Sequence, residues 1–209
     1  MAISTDARTV VREGRLYAIT PDAPAEAVIE LVGAWLVAGV RLVQLRQTSM
    51  PRGELLALAR RLVPEVRRAG GALIVNDQLD LALLAEADGV HLGPDDLSVA
   101  AARSVAGSGL LIGASAATPE AAREAEAAGA DYLGSGPAFS TTTKTGKPVI
   151  GPSGIAAVAA SVSIPVFAIG GITPERVAEV RRAGLERVCA IGALAAGGAA
   201  ARSFLEALR

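Results

Sequence analysis

The chain has 209 residues, 51% of them apolar and only 3% aromatic, with 20 Lys and Arg against 21 Asp and Glu. That balance excludes the concentrated basic stripe a nucleic-acid surface needs. The single cysteine, Cys189, excludes an internal disulfide and suits a reducing cytoplasm. The stretch Met1–Gly14 is charged and has no apolar export core. The uncharged run 188–201 is too short and too glycine-rich to span a bilayer. The expectation is one soluble, cytoplasmic domain over 15–209 behind an N-terminal extension, 1–14, with no membrane or nucleic-acid partner. Association into a homo-oligomer is left open.

Taken in chain order, short β-branched or leucine-rich runs read as strands at Leu16–Ile19, Leu42–Leu45, Leu73–Val75, Gly89–Leu92, Leu111–Gly113, Tyr132–Leu133, Val166–Ile169 and Val188–Ile191. Between and after them, helical spacing marks Ala25–Ala38, Gly53–Ala69, Pro119–Ala128, Pro174–Ala183 and Ala199–Leu208. Strands alternating with helices imply βα units and a parallel sheet. Thr118-Pro119-Glu120 and Thr173-Pro174-Glu175 each offer a capping hydroxyl, a proline at the first helical position and an acid. Gly39, Gly70, Gly129 and Gly184 stand where helices should stop. About eight such units predict an α/β fold, a single TIM (β/α)8 barrel. An open doubly wound sheet usually carries a glycine-rich phosphate motif after its first strand, and "LYAITPDAPAE" has none.

In a barrel, function sits where strands end. In the second strand, Val43 and Leu45 suit the helix layer, so Gln44 and Arg46 face the interior. An arginine there needs an anion or a carboxylate. The third and fourth strands end in Asn76-Asp77 and Gly93-Pro94-Asp95-Asp96. Either of the later aspartates could cap the next helix, but Asp77 opposite Asp96 beside an arginine suits Mg²⁺. His91, the lone histidine, lies within a strand without a nucleophile elbow and reads as an interior residue. Ser115 is a hydroxyl at the fifth strand end. The sixth strand leads into the irregular stretch "GSGPAFSTTTKTGKPVIG", where Thr141, Thr143 and Lys144 could grip an anion as a lid. Glycine turns after strands seven and eight, around Gly171 and Ile191-Gly192, form the usual barrel phosphate site.

These segments, "VQLRQ", "VNDQLDLALLAEADGVHLGPDD", "GAS", "DYLGSGPAFSTTTK" and "PVFAIGGIT", resemble the thiamine phosphate synthase family in content and order. The resemblance covers nearly the whole chain, from Arg15 to Leu208. It implies a TIM barrel that joins hydroxymethylpyrimidine pyrophosphate to thiazole phosphate with Mg²⁺ and releases pyrophosphate. It further implies a pyrimidine carbocation on the way. By position, it implies Asp77 and Asp96 as metal ligands. Gln44, Arg46, Asn76, Ser115 and Lys144 would surround the pyrimidine and its pyrophosphate. Thr141, Thr143, Gly171, Ile191 and Gly192 would hold the thiazole phosphate. Arg46, Lys144 and Ser115 are the residues expected to serve catalysis.

The chain departs from that pattern at Thr48, where the family usually has lysine, at Ala117, where it often has histidine, and at Gly192, where serine is common. Two alternatives stand beside the synthase. One is a thiazole tautomerase, a paralogous barrel whose proton transfer uses the histidine that is Ala117 here. The other is a non-catalytic barrel that binds phosphate ligands.

Overall fold

A computed structural model describes residues 5–141 and 148–209. Thr143 and Lys144 therefore lie outside the described residues.

Strands β1 (Leu16–Ile19), β2 (Leu42–Leu45), β3 (Ala72–Asn76), β4 (Gly89–Leu92), β5 (Leu111–Ser115), β6 (Tyr132–Ser135), β7 (Val166–Ala168) and β8 (Val188–Ala190) alternate with helices. Each strand pairs in parallel with the next, and β8 returns to β1 to close the barrel. The helices are α1 (Thr5–Glu13), α2 (Ala25–Ala38), α3 (Arg52–Arg68), α4 (Leu79–Leu84), α5 (Val99–Ala106), α6 (Pro119–Ala127), α7 (Gly151–Ala160), α8 (Val177–Arg182) and α9 (Gly198–Ala207). The expected (β/α)8 barrel is therefore present, and the expected strands match to within one or two residues at their ends.

Period-two alternation sorts the strand residues into two layers. Val43, Leu45, Leu73, Val75, Val90 and Ile112 face outwards and pack with Val28, Trp35, Leu58 and Leu62 of the helices. Tyr17, Leu42, Ile74, Leu111, Tyr132, Phe167 and Cys189 face inwards and fill the barrel. At the strand N-termini, Ala7 and Val11 of α1 join this inner cluster and cover the barrel floor, each 2% exposed. No space is left inside for every position to carry a side chain. A Cβ at Gly113 would lie 2.1 Å from the Tyr132 ring and 2.6 Å from His91 Nδ1, so glycine there lets those rings sit side by side.

Two aspartates knit the lower rim. Asp131 accepts from Arg8 at 2.6 Å, from Arg103 at 2.7 Å and from the Ile112 N–H at 2.8 Å. Asp88 accepts from Arg67 at 3.0 Å and from the Leu73 N–H at 2.9 Å.

Punctuation holds where a single turn decides it. Thr118 caps α6 by accepting from the Ala121 N–H at 3.2 Å, and Gly39 ends α2 with φ 109°. One helix start differs from expectation. Over Pro174–Arg176 the chain makes a 3-10 turn, with the Arg176 N–H on Thr173 O at 3.0 Å, before α8 begins. The Thr173 hydroxyl makes no cap bond there. The Glu175 carboxyl lies below its ordinary pKa, chiefly through the nearby Thr173 hydroxyl. No helix of the described residues is long and apolar enough to cross a membrane.

Candidate active site

The strand C-termini surround a cavity of about 850 Å³ lined by Gln44, Arg46, Asn76, His91, Ser115 and Thr141, with Gly171, Ile191 and Gly192 opposite. Of the residues expected at the site, these eight besides His91 are brought together on one wall or another. A separate open depression of about 550 Å³ lies beside α1, lined by Arg8, Arg12, Asp131 and Arg187, away from the strand C-termini.

The cavity floor is a polar chain that crosses the barrel. Gln44 Nε2 donates to Tyr17 Oη at 2.7 Å, and Tyr17 Oη meets Tyr132 Oη at 2.9 Å. Tyr132 packs against His91 with ring centres 5.6 Å apart, and His91 Nε2 meets Ser115 Oγ at 3.1 Å. Gln44 and Ser115, read separately from the sequence, are thus joined through tyrosines the sequence reading did not single out. His91 does lie within the barrel as expected, and it also borders the site. Burial pushes the pKa of Tyr17, Tyr132 and Cys189 upwards, so all three are neutral at physiological pH. The floor therefore offers hydrogen bonds without negative charge.

At the rim, Arg46 is held from several sides. Its N–H donates to Thr20 Oγ1 at 2.9 Å, and that hydroxyl donates to Arg46 O at 3.0 Å. The next residue, Gln47, bonds Pro21 O at 2.7 Å and the Ala23 N–H at 2.9 Å. Arg46 Nη1 reaches Asp22 Oδ2 at 3.2 Å. The carboxylate alternative weighed for this arginine is therefore realised, although the side chain still borders the cavity.

Thr48 turns the same way. Its hydroxyl donates to Asp22 Oδ2 at 3.0 Å and its N–H donates to Asp22 Oδ1. Burial alone would raise the Asp22 pKa, but the bonds from Thr48 and the Arg46 charge outweigh it and hold the carboxyl below its ordinary value. Asp22 is thus an anion at neutral pH. Sequence reasoning missed it, since an aspartate after Pro21 looks like an ordinary turn residue.

Asp77 and Asp96 follow adjacent strands. The Asp77 N–H donates to His91 O at 2.8 Å, extending the β3–β4 ladder by one step. Asp77 has φ 61°, a left-handed conformation that non-glycine residues adopt at a cost of about 1–3 kcal/mol. Asp96 Oδ2 accepts from the Gly93 N–H at 2.7 Å. Neither Asp95 nor Asp96 caps α5, because Ser98 takes that position and accepts from the Ala101 N–H. Among the described residues no cluster of three or more His, Cys, Asp or Glu could hold a metal. Two carboxylates do not form such a cluster, and they suit a hard cation that takes its remaining ligands from water and phosphate.

The opposite wall is built from two chain segments in backbone contact. The Ala138 N–H donates to Ile169 O at 2.8 Å and the Phe139 N–H to Gly170 O at 3.0 Å. A Cβ on Gly171 would fall 2.5 Å from Ser140 O, and one on Gly170 would fall 2.7 Å from Pro137. With φ of 102° and 63°, both positions require glycine twice over. Among the described residues, the Gly170 and Gly171 N–H groups have no acceptor. The adjacent 3-10 turn Gly192–Leu194 is anchored from outside, where buried Trp35 donates Nε1–H to Leu194 O at 3.1 Å.

Comparison with known proteins agrees with this architecture. A family model described as thiamine monophosphate synthase matches residues 16–194. The thiamine-phosphate synthase of Salinispora arenicola is 46% identical over 202 residues, covering 93% of this chain and 97% of that protein. That of Gloeobacter violaceus is 43% identical over 195 residues, and the match covers 93% of this chain but 57% of its relative. The structure of a thiamine phosphate pyrophosphorylase from Pyrococcus furiosus superposes with a TM-score of 0.84 at 33% identity, covering 95% of this chain and 97% of that one. With a family match over most of its length and relatives above 40% identity, the chain belongs to the thiamine monophosphate synthase family.

Proposed function

We propose that the mouth of this barrel joins hydroxymethylpyrimidine pyrophosphate to hydroxyethylthiazole phosphate, giving thiamine phosphate and pyrophosphate. The observation that carries the reading is the cavity itself: a neutral hydrogen-bonding floor between a rim bearing Arg46, paired with Asp22, and a wall whose Gly170 and Gly171 N–H groups have no acceptor among the described residues. Family membership supports the same activity.

The reaction breaks the bond from the pyrimidine methylene carbon to pyrophosphate oxygen and forms one from that carbon to the thiazole nitrogen. No proton moves and no side chain attacks. That accounts for a floor with no activated nucleophile, where burial keeps the tyrosines and Cys189 protonated. What the chain must supply is placement and charge.

Gln44, Asn76 and Ser115 are suited to hold the aminopyrimidine edge, with Ser115 oriented by His91. Arg46 would turn its free N–H donors to the pyrophosphate, and Lys144 is proposed to join it. Gly170, Gly171, Gly192 and Thr141, with Thr143, would take the thiazole phosphate. Ile169, Ile172, Ala116 and Ala190 give the cavity apolar walls that exclude water. The donor set fits Mg²⁺: Asp77 and Asp96 would hold it, and it would supply positive charge to the departing diphosphate. Ala117 lines the cavity without a titratable group, which favours the synthase over proton transfer by a tautomerase.

The test is product analysis with both substrates and Mg²⁺. Thiamine phosphate and pyrophosphate should appear in equal amounts, and Asp77→Ala should lower kcat/KM by at least about 100-fold. Isomerisation of thiazole phosphate without coupling would replace this reading with the tautomerase.

A further inference from the structure

Two cationic side chains among the described residues border the cavity, Arg46 and Arg176, and their surroundings differ. Arg46 is matched by Asp22. Arg176 has no carboxylate partner among the described residues. Two neutral neighbours hold it instead. Nη1 donates to Gly171 O at 2.9 Å, and the guanidinium carbon lies 4.7 Å from the centre of the Phe139 ring. These contacts engage one of five N–H donors and one face of the group, so its plane is fixed while its other donors remain unused.

The accepting carbonyl belongs to the very turn whose Gly170 and Gly171 N–H groups lack an acceptor among the described residues. Such N–H groups are dipoles without net charge. A phosphate monoester brings nearly two negative charges at neutral pH. Its neutralisation therefore needs a cation beside the turn, and Arg176 is exposed, charged and already oriented there.

We infer that Arg176 binds the phosphate monoester of the thiazole substrate, completing the glycine turn after β7 with a forked, charged donor. This rests on the proposed function of the site. Phe139 carries a second consequence: the residue beneath the guanidinium lies on the β6–α7 connection, so phosphate capture and that connection share one side chain.

The experiment measures calorimetric affinity for inorganic phosphate alone, and then steady-state kinetics, in wild type, Arg176→Lys, Arg176→Gln and Arg176→Ala. Gln and Ala should weaken phosphate binding roughly 10- to 100-fold, while Lys, which keeps the charge, should stay within about tenfold of wild type. The KM for thiazole phosphate should rise by the same factor, with the KM for pyrimidine pyrophosphate unchanged. A merely structural role gives another pattern: Gln, still able to donate to Gly171 O, would equal wild type, and that overturns the inference. Normal coupling with an unaltered thiazole phosphate KM in Gln would also overturn it and leave the proposed reaction intact. Loss of phosphate binding in Gln by a protein that never couples the two substrates would sustain the anion site and remove the proposed reaction.

Discussion

Thr48 stands where the resemblance implies lysine, and the structure supplies a physical account of how this chain uses that position. A lysine there could reach outwards as a second cation. Threonine is too short for that, and it bonds back to Asp22 through both its hydroxyl and its N–H. The carboxylate that receives it also takes Arg46, so this rim anchors its arginine and offsets part of its charge. Placing lysine at the position should give Asp22 a competing partner and release charge towards the pyrophosphate. Thr48→Lys is expected to lower the KM for pyrimidine pyrophosphate by roughly three- to tenfold, with the KM for thiazole phosphate unaffected. Initial-rate kinetics varying each substrate in turn check this. An unchanged or raised pyrophosphate-substrate KM would show that Asp22 does not restrain Arg46.

At the scale of elements, the barrel separates stability from chemistry by end. Asp131 ties α1, α5 and β5 together at the lower rim through three hydrogen bonds, and its side chain is only 14% exposed. Removing it leaves the Ile112 N–H without that acceptor and two arginines without their carboxylate, held only by backbone carbonyls. Asp131→Ala should cost about 2–4 kcal/mol, which lowers the melting temperature by roughly 5–15 °C in a domain of this size. Activity at 25 °C should hardly change, because no bond of Asp131 reaches the cavity. Calorimetry together with a rate assay tests both halves.

The same division explains what the sequence discloses. Strand runs, glycine stops and the Thr118 cap are local signals, set by residues within a turn of one another, and they read correctly. Gln44 and Arg46 are legible because period two places them opposite Val43 and Leu45. The Tyr17–Tyr132 contact is not legible, since its partners lie 115 residues apart and each reads as one more apolar strand residue. Asp22 reads as a turn and Arg176 as the third residue of a surface helix. Pairing of β1 with β2 brings one to Arg46, and the 3-10 turn after β7 folds the other back onto Gly171.

Over the whole molecule, closure converts short-range pattern into a site. The strand ends deliver Gln44, Arg46, Asn76 and Ser115 to one side of the cavity and the glycine turns of β7 and β8 to the other, with the tyrosine pair below. Inner packing by Phe167, Tyr17 and Tyr132, edge to face at 5.5–5.9 Å, fixes the floor on which substrates would rest. The most direct measurement is a crystal structure with Mg²⁺ and pyrophosphate. The expected result is an ion held by Asp77 and Asp96, with the diphosphate between it and Arg46. Diphosphate bound elsewhere, or an ion that engages neither aspartate, would contradict it.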